Sequence, residues 1–476
     1  MPATPAEIAK AMATSTTDAT MVLDHRFQAP EPELIESLID GPADAWHGGL
    51  DLGHGQYPRA LDHIQPHYMF ANPPEGNLEV TSPHVSLRAL LVRRTVVDQL
   101  GGPDPTMETL NGAGAELGIR WLLAGAIPRH VPGLIPAGTE NEPAPSETDE
   151  FRMLTRHYGK KWALWALGRA VTQGEVKPRA AIDLAGVIRQ TNHVPTTHYV
   201  SPTKPIGDTD RTVSVILPTI DRYSYLLPLL EQLAGQTKPP HQVLIVDQTP
   251  KAKRRDDLAR VTPGLPVEYF TLDQAGQSTA RNVALNHATG EFVLFIDDDD
   301  EIQPDLIEHH LKRLIPGIDA ICGGVDDATA GPPPEGFRHR RASNVFPTNN
   351  TLLRRDALSR SGLFDPVFDH GPRADHDLGT RLYRSGAFLV YDPSVMIFHH
   401  HAPMGGLRTH GARKITRASS RKSLTQRNFP ATTELYLGLR YFTAHQRKEA
   451  AAIRVLSTLS CDGPLYRRLA RAGIQL

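Results

Sequence analysis

The sequence has few cysteines, no long apolar run and little net charge, and each shortage excludes a class of protein. Two cysteines in 476 residues, Cys322 and Cys461, cannot form a disulfide framework or a thiolate metal site, so we expect a reducing compartment. No run approaches the about 18 apolar residues of a membrane-spanning helix. The formal net charge of -2 argues against nucleic acid as a partner, because phosphate backbones select strongly basic surfaces.

Several familiar sequence signals are also missing. No GxxxxGK[ST] loop is present, which argues against the usual ATPases and kinases, and no GxGxxG follows the first strand of the middle region, which weakens a dinucleotide-dependent oxidoreductase. The N-terminal residues lack the basic and apolar regions of a signal peptide. The expected location is therefore cytoplasmic, with peripheral membrane association left open.

Changes in composition divide the chain into segments, as its length predicts for a protein of two or three domains. Turn formers and charged residues without apolar partners mark a linker after residue 135, and a helical pattern follows it. The predicted divisions are a disordered tail over residues 1–20, an α/β-type region over 21–135, a linker and helical segment over 136–212, the largest unit over 213–408, and a C-terminal helical region over 409–476.

The unit over residues 213–408 alternates apolar strands with helices. VSVILPT, HQVLIVDQT, VEYFTLDQ and EFVLFIDDDD read as strands, and YSYLLPLLEQLAGQT and STARNVALNHATG read as helices. Such alternation predicts a mostly parallel, doubly wound α/β sheet. Ligands bind such sheets at the carboxyl ends of the strands, where this sequence carries residues 218–222, Asp247-Gln248 and residues 297–300. These polar strand ends are expected to form one crevice.

Four consecutive aspartates, residues 297–300, follow the last of these strands. Such a cluster is unfavourable unless a cation neutralises it. Oxygen ligands suit Mg²⁺ or Mn²⁺, and a divalent ion bridging a diphosphate would stabilise a departing nucleoside diphosphate. The alternative is a solvated acidic loop that caps the helix opened by Pro304-Asp305-Leu306.

A set of motifs in this unit resembles a known family. The motifs are VSVILPTIDR, VLIVDQT, GQSTARNVAL, LFIDDDD, NNTLLRRDAL with GLFDP, and ADHDLGTRL, in that order. Together they resemble family 2 glycosyltransferases, which have the GT-A fold of nucleotide-diphospho-sugar transferases. The resemblance implies a metal-dependent, inverting glycosyltransferase that moves a sugar from a nucleotide-sugar donor to a hydroxyl of a glycan, lipid-linked or small-molecule acceptor.

The resemblance also implies roles for individual residues. Asp247 would contact the base and Arg281 would lie near the diphosphate. The nucleotide-sugar site would comprise Pro218, Thr219, Arg222, Asp247, Arg281, Asp297 and Asp298. The metal ligands would be Asp297, Asp299 and His401, with Asp299 favoured as the direct carboxylate ligand. His399 and His400 remain alternatives to His401, and a solvated polar loop is the non-functional interpretation of all three.

Asp375 occupies the position of the catalytic base in this resemblance. A carboxylate there would take the proton of the acceptor hydroxyl as it attacks the anomeric carbon. The glutamate of the family's Glu-Asp pair is Ala374 here, which weakens the assignment and leaves Asp377 as a second candidate. Alternatively, both aspartates only cap the helix that begins there.

Two other classes of function compete with the transferase. A nucleotidyltransferase also uses acidic metal sites on α/β sheets, but its Gly-rich first loop is missing. A degenerate glycan-binding protein would need neither the acidic run nor the base. Arg408 is a candidate phosphate contact, and the basic segment HGARKITRASSRKSLTQR is a candidate contact for anionic lipid or a phosphate-bearing acceptor.

The N-terminal region repeats part of the middle unit. A shift of 261 positions, from Leu91 to Leu352, also aligns Arg93-Arg94, Gly101, Asp104-Pro105 and Leu117-Gly118 with identical residues. Residues 21–135 are therefore expected to form a truncated GT-A-like half domain without the nucleotide-binding strands or the acidic run. Its counterpart of Asp375 is Gly114, so we expect this half to be non-catalytic and to pack on the catalytic domain or help bind acceptor.

Overall fold

The computed structural model describes most of the chain as two compact units. The first contains Met1–Thr203 with Gly438–Leu476, and the second contains Lys204–Leu437. The described residues are 3–50, 59–74, 78–135, 144–201, 207–255, 257–327, 333–403, 405–406, 430–459 and 464–475.

The strands fall into two sheets, one in each unit. The first unit contains β1 Ala19–Leu23, β2 Ala45–His47, β3 Val80–Thr81, β4 Ala89–Arg93 and β5 Pro128–His130. The second contains β6 Val213–Thr219, β7 Gln242–Asp247, β8 Val267–Thr271, β9 Phe292–Phe295, β10 Asp300–Ile302, β11 Ala320–Asp327, β12 Arg341–Ala342, β13 Thr351–Arg354 and β14 Leu389–His399.

The helices lie between and after these strands. Those up to residue 190 are α1 Pro5–Thr14, α2 Pro32–Ile39, α3 Arg94–Leu100, α4 Leu110–Ala124, α5 Glu147–Tyr158, α6 Lys160–Thr172 and α7 Pro178–Gln190. Those of the later chain are α8 Tyr223–Ala234, α9 Gln277–His287, α10 Leu306–Arg313, α11 Ala357–Ser361, α12 Ala374–Arg384, α13 Thr432–Tyr441, α14 Ala444–Leu459 and α15 Leu465–Gln475.

The second unit has the predicted α/β sheet, but it mixes parallel and antiparallel pairings where the sequence predicts a mostly parallel sheet. Its strand order is β10-β14-β11-β13-β9-β6-β7-β8, with β12 paired to β14. Strands β9, β6, β7 and β8 are mutually parallel, and β13 joins them antiparallel on the other side of β9. The apolar runs of β6, β7 and β9 are buried, as expected for strands covered on both faces. The carboxyl ends of β6 and β9 therefore meet at one edge of the sheet.

Residues 5–14 form a helix, although the sequence predicts a tail over residues 1–20. Pro5 begins α1, and Thr4 and Glu7 form a capping box at its N-terminus. Ile8 and Met12 are buried on one side of the helix. The apolar pair at i and i+4 spacing gives this segment a packed face, which the Ala- and Thr-rich composition concealed.

The first unit repeats the strand order of part of the second. Its order is β1-β4-β2-β5-β3, and β9-β13-β11-β14 has the same sequence of antiparallel, antiparallel and parallel pairings. Even the register agrees. Val80 pairs with His130 in the first sheet and Arg341 with Tyr391 in the second, a shift of 261 positions on both strands. Counterparts of β6, β7 and β8 are absent from the described part of the first sheet.

A buried carboxylate and an arginine occupy the same positions in both halves. Arg381 donates to Asp377 at 2.9 Å and to the Ser361 carbonyl at 2.6 Å. In the first unit Arg120 donates to Glu116 at 2.9 Å and also to the Leu100 carbonyl. Each arginine thus ties the helix that carries it (α12 or α4) to the end of the preceding helix. The same contact therefore links the corresponding pair of helices in each unit.

Among the described residues, no helix combines the length and apolar character needed to cross a membrane. Arg408 and the basic segment over residues 410–427 lie outside the described residues.

Candidate active site

A cavity of about 350 Å³ opens at the carboxyl ends of β6 and β9. It lies where the sequence predicts a crevice, and it brings together residues from five segments of the second unit. Its walls are formed by Pro218, Thr219, Ile220, Arg222, Gln248, Gln277, Arg281, Asp297, Asp298, Asp299, His399, His401, Ala402, Pro403, Gly405 and Gly406.

Arg222 neutralises the two central aspartates of the acidic run. Its Nη1 donates to Asp298 Oδ1 at 3.0 Å and to Asp299 Oδ1 at 2.8 Å. Thr219 Oγ1 donates to Asp298 Oδ2 at 2.7 Å, and the Ala402 backbone N–H donates to Asp299 Oδ2 at 2.8 Å. Burial raises the pKa of Asp298 to about 6, against the opposing effect of Arg222. Both carboxylates are thus fixed in position by hydrogen bonds.

Asp297 has a different setting from its two neighbours. Its side chain is 32% exposed, whereas that of Asp299 is 2% exposed. Arg281 Nη2 donates to Asp297 Oδ1 at 2.8 Å, and no hydrogen bond from the described residues reaches Oδ2. Asp297 therefore presents a carboxylate oxygen to the cavity, with the Arg281 guanidinium beside it.

Asp300 closes the acidic run by bonding to the last strand. His399 Nδ1 lies 2.7 Å from Asp300 Oδ1, and the Asp297 backbone N–H donates to Asp300 Oδ2 at 2.8 Å. Burial raises the pKa of Asp300. Desolvation lowers the pKa of His399, but the hydrogen bond that its ring donates to Asp300 and the nearby carboxylate charges outweigh this effect and raise the pKa. The pair therefore holds a proton at neutral pH, which reduces the negative charge of the run.

The three histidines of the loop lie in two different places. His399 and His401 line the cavity, and their ring centroids are 4.2 Å apart. His400 contacts Glu301, with its Nε2 3.1 Å from Oε2, and it packs against Tyr225 and Phe398. The structure therefore brings His401 to the predicted site and places His400 outside the cavity walls.

Two glycines let the loop after β14 approach Arg222 closely. Gly405 and Gly406 have φ of 70° and 71°, in the left-handed region. A Cβ on Gly405 would lie 2.3 Å from the Asp221 carbonyl oxygen, and one on Gly406 would lie 2.7 Å from Arg222 Nη2. The backbone contact is completed by Gly406 N–H, which donates to the Ile220 carbonyl at 2.7 Å. Only glycine fits at this closure of the cavity.

Asp247 is fully buried and does not appear among the cavity walls. Tyr223 and Tyr269 donate their hydroxyls to its Oδ2 at 2.6 and 2.9 Å, and the Thr249 N–H donates to its Oδ1 at 2.8 Å. The adjacent Gln248 lines the cavity instead. The sequence predicts that Asp247 contacts the base of the nucleotide. The only sequence feature that pointed to Gln248 was its position one residue beyond the strand.

The N-terminus of α9 is capped from a distant segment. Asp369 Oδ1 accepts the backbone N–H groups of Ser278 and Thr279, each at 2.8 Å. A carboxylate at this position satisfies the free N–H groups and the positive end of the helix dipole. Because Asp369 satisfies the positive end of the helix, the positive charge that α9 presents to the cavity is that of Arg281, one turn further along.

Asp375 and Asp377 lie in the first turn of α12 with very different exposure. Asp377 is fully buried against Arg381, as Glu116 is against Arg120, so its position in both halves is a packing position. The Asp375 side chain is 39% exposed, and its Oδ1 lies 3.0 Å from His376 Nδ1. Although burial opposes it, the charge and hydrogen bond of His376 hold the pKa of Asp375 below its usual range. Asp375 is not among the cavity walls as described.

Left-handed backbone at non-glycine residues is concentrated near these groups. Among the described residues these positions are Asp221, Arg373 and His401, with φ of 54°, 85° and 52°. Asp221 precedes Arg222, Arg373 precedes α12, and His401 lines the cavity. Such conformations cost of order 1–3 kcal/mol each and are found mainly at functional sites.

The donor set is suited to a hard divalent cation such as Mg²⁺ or Mn²⁺. Asp297 offers a carboxylate oxygen without a hydrogen bond, and His401 offers an imidazole that Mn²⁺ accepts. Asp299 is less available than the sequence suggests, because Arg222 and Ala402 occupy its oxygens. The residues that would hold the cation are therefore Asp297 and His401, with Asp299 behind them.

Comparison with known proteins finds similarity to glycosyltransferases in the part of the chain that carries the acidic cavity. Residues 214–369 match the model of glycosyl transferase family 2. Curated relatives include the poly(ribitol-phosphate) β-N-acetylglucosaminyltransferase TarS of Staphylococcus aureus, 34% identical over 122 residues. The succinoglycan biosynthesis protein ExoM of Rhizobium meliloti is 25% identical over 190 residues.

The similarity covers only part of each protein. The alignments include 23% and 36% of this chain, and 21% of TarS and 62% of ExoM. A solved structure of mannosyltransferase PcManGT from Pyrobaculum calidifontis with GDP-Man and Mn²⁺ aligns with a TM-score of 0.36 and 19% identity, over 57% of this chain and 83% of that one. The match to the family model thus lies within the second unit.

Proposed function

We propose that the chain is a metal-dependent, inverting glycosyltransferase that uses a nucleoside-diphosphate sugar. The observation that carries the proposal is the cavity at the ends of β6 and β9, where an exposed Asp297 stands beside Arg281 and His401. Pro218, Thr219 and Gln248 on the opposite strand ends would hold the nucleoside. When bound, a Mg²⁺ or Mn²⁺ ion would supply positive charge to the leaving diphosphate.

The protein's own groups have separable tasks in this proposal. Arg281 would bind the diphosphate through its guanidinium while it holds Asp297 in place. Arg222 would orient Asp298 and Asp299 through its hydrogen bonds, so that the acidic run stays assembled between turnovers. Asp298 contributes to donor binding through the position of Thr219.

Asp375 would act as the base for the acceptor. Its lowered pKa keeps the carboxylate ionised at neutral pH, and its partial exposure leaves it accessible to a hydroxyl. The hydroxyl oxygen would attack the anomeric carbon as the bond to the diphosphate breaks, and its proton would pass to Asp375. One displacement with one base inverts the anomeric configuration.

The first unit would be non-catalytic. It keeps Asp24 at the end of β1, where β9 leads to Asp297, but Arg26 donates to both Asp24 oxygens at 2.8 to 3.3 Å. An arginine thus takes the place that a metal ion would need. A Cβ on Gly114, the counterpart of Asp375, would lie 2.0 Å from the Val85 carbonyl oxygen, so no side chain fits there. Acceptor binding is the remaining proposal for this unit.

The proposal is tested by thermal shift with a panel of uridine and guanosine diphosphate sugars, with Mn²⁺ or with a chelator. Specific binding stabilises a folded domain according to the ligand concentration and affinity. We expect one class of donor to raise the Tm only with the metal, and the same donor to be slowly hydrolysed. A chain that neither binds nor hydrolyses any donor with Mn²⁺ would contradict the proposal.

A further inference from the structure

A second cluster of metal-type ligands lies in the first unit, apart from the acidic cavity. Side-chain atoms of His63, Glu175 and His445 lie within 4.8 Å of one another. His63 ends a short 3₁₀ helix, Arg59–His63; Glu175 follows α6; and His445 is in the first turn of α14. Three segments far apart in sequence therefore meet at one point.

The surroundings of His63 are not satisfied by a neutral imidazole. The ring is 1% exposed, with Nδ1 3.0 Å from Glu449 Oε2 and Nε2 3.1 Å from Glu175 Oε2. A neutral imidazole has one N–H, so only one of the two carboxylates can receive a hydrogen bond from it. The other contact requires a second proton or a cation between the nitrogen and the oxygen.

The cation alternative has the geometry of known metal sites. Metal-binding histidines commonly donate their second ring N–H to a carboxylate, and Glu449 is that carboxylate for His63 Nδ1. Arg169 holds Glu449 in place through hydrogen bonds of 2.9 and 2.8 Å to its two oxygens. Nε2 of His63 is then the nitrogen directed at Glu175 and the shared point.

His445 completes the set. Its Nδ1 lies 3.4 Å from Glu175 Oε1, and its Nε2 is buried with no hydrogen-bond partner among the described residues. The two contacts use different oxygens of Glu175: Oε2 lies 3.1 Å from His63 Nε2 and Oε1 lies 3.4 Å from His445 Nδ1, so each carboxylate oxygen faces one imidazole nitrogen. Arg59, which also contacts Glu175, is largely exposed and can move aside.

We propose that His63, Glu175 and His445 bind a divalent transition-metal ion of the Zn²⁺ class, with Glu449 orienting His63. Two imidazoles and one carboxylate are a donor set that zinc prefers, and they leave one coordination position open. The ion joins α14 of the C-terminal segment to the 3₁₀ helix and the turn after α6 within the first unit. Its role is to stabilise that unit, independently of the function proposed for the acidic cavity.

The test uses the full chain and Co²⁺, whose absorption reports coordination by nitrogen and oxygen. Asp297→Asn is included in every variant to weaken binding at the acidic cavity. We expect the Asp297→Asn chain to bind one Co²⁺ with a tetrahedral-type spectrum, and to lose it when Zn²⁺ is added. Adding His445→Ala or Glu175→Gln should abolish both the spectrum and the rise in Tm produced by Zn²⁺.

His25→Ala in the same background is the matched control, because His25 is an exposed histidine of the same unit outside the cluster. It should bind Co²⁺ unchanged. Glu175→Gln keeps the shape of the side chain, so it remains informative where His445→Ala lowers stability. The proposal is overturned when the folded Asp297→Asn chain binds no metal, or when Glu175→Gln binds it as the control does. Loss of donor binding leaves this result unaffected.

Discussion

Single side chains in the acidic run differ in what they can still bind. Asp298 and Asp299 are buried and bonded to Arg222, Asp300 is bonded to His399, and Asp297 alone of the run keeps an oxygen without a hydrogen bond from the described residues. Four identical side chains in one run thus have different environments and different capacities to bind a ligand. Sequence spacing cannot separate them, because exposure depends on where Arg222 and the loop after β14 lie.

Asp375→Asn tests the base at the scale of one side chain. An amide of the same shape cannot take a proton, so we expect kcat to fall about 10²- to 10⁴-fold with donor affinity unchanged. Steady-state kinetics with a thermal shift for donor binding would measure both quantities. An Asn variant with wild-type kcat would rule out Asp375 as the base, and another carboxylate would have to take that role.

The acidic run was the most predictable part of the cavity, because carboxylates at a strand end are visible in the sequence, whereas the role of Asp375 as the catalytic base stays a prediction. The position of Asp247 was not predictable. Its strand end predicted a ligand contact, but Tyr223 and Tyr269 reach it from α8 and β8 and satisfy its carboxylate. No local sequence pattern predicts that residues from three separate elements will contact one another.

At the scale of elements, an ion pair that occurs in both units shows how one contact can hold a helix in place. In α4, burial would raise the pKa of Glu116, but the charge of Arg120 and the hydrogen bond of His157 outweigh it and lower the pKa to about 2. A carboxyl whose folded-state pKa lies below its ordinary value contributes stability above that ordinary value, near 4.5. The contribution is lost as the pH falls towards 2.

Glu116→Gln tests this contact. We expect the variant to be less stable than wild type by about 3 kcal/mol at pH 7, because it leaves the Arg120 charge without its partner. The difference in Tm between the two proteins should shrink as the pH is lowered from 5 to about 3. A difference that stays constant over that range would show that the ionised carboxylate does not hold α4.

Gly406→Ala tests the closure of the loop over Arg222. The alanine Cβ would approach Arg222 Nη2 at a φ that only glycine adopts easily, so the loop must move. We expect a smaller donor-induced rise in Tm. Gly264→Ala is the matched control, since Gly264 has φ of 87° but nothing within 4 Å of its Cβ. Equal losses in both variants would assign the effect to backbone strain alone.

The central elements were predictable from sequence and the short ones were not. Apolar runs of six or seven residues, such as β6 and β7, can only be buried strands in this setting. Two-residue strands such as β3 and β12 have no periodicity to read, and they form because a neighbouring edge offers hydrogen-bond partners. Helix α1 was missed because only three of its residues, Pro5, Ile8 and Met12, are buried.

The two units contain sheets that share part of their strand order. A substitution in one sheet can therefore be compared with a substitution at the corresponding position of the other. Asp297→Asn should lower metal affinity at least about 10-fold and abolish metal-dependent donor binding. Asp24→Asn changes the same position in the first sheet, where Arg26 already occupies the carboxylate, and should leave donor binding unchanged. Titration of Mn²⁺ in the presence of donor measures both. Equal effects would mean that the first unit takes part in metal binding.

The matching registers of the two sheets also bear on how the chain reaches its native state. A strand such as β13 finds in β2 nearly the same row of hydrogen-bond partners that it finds in β11. When the denatured chain refolds after dilution, each such strand can therefore pair in either sheet. Mispaired intermediates should slow the recovery of native protein and favour aggregation. Synthesis from the N-terminus separates the copies in time: the first sheet can close before β9 leaves the ribosome.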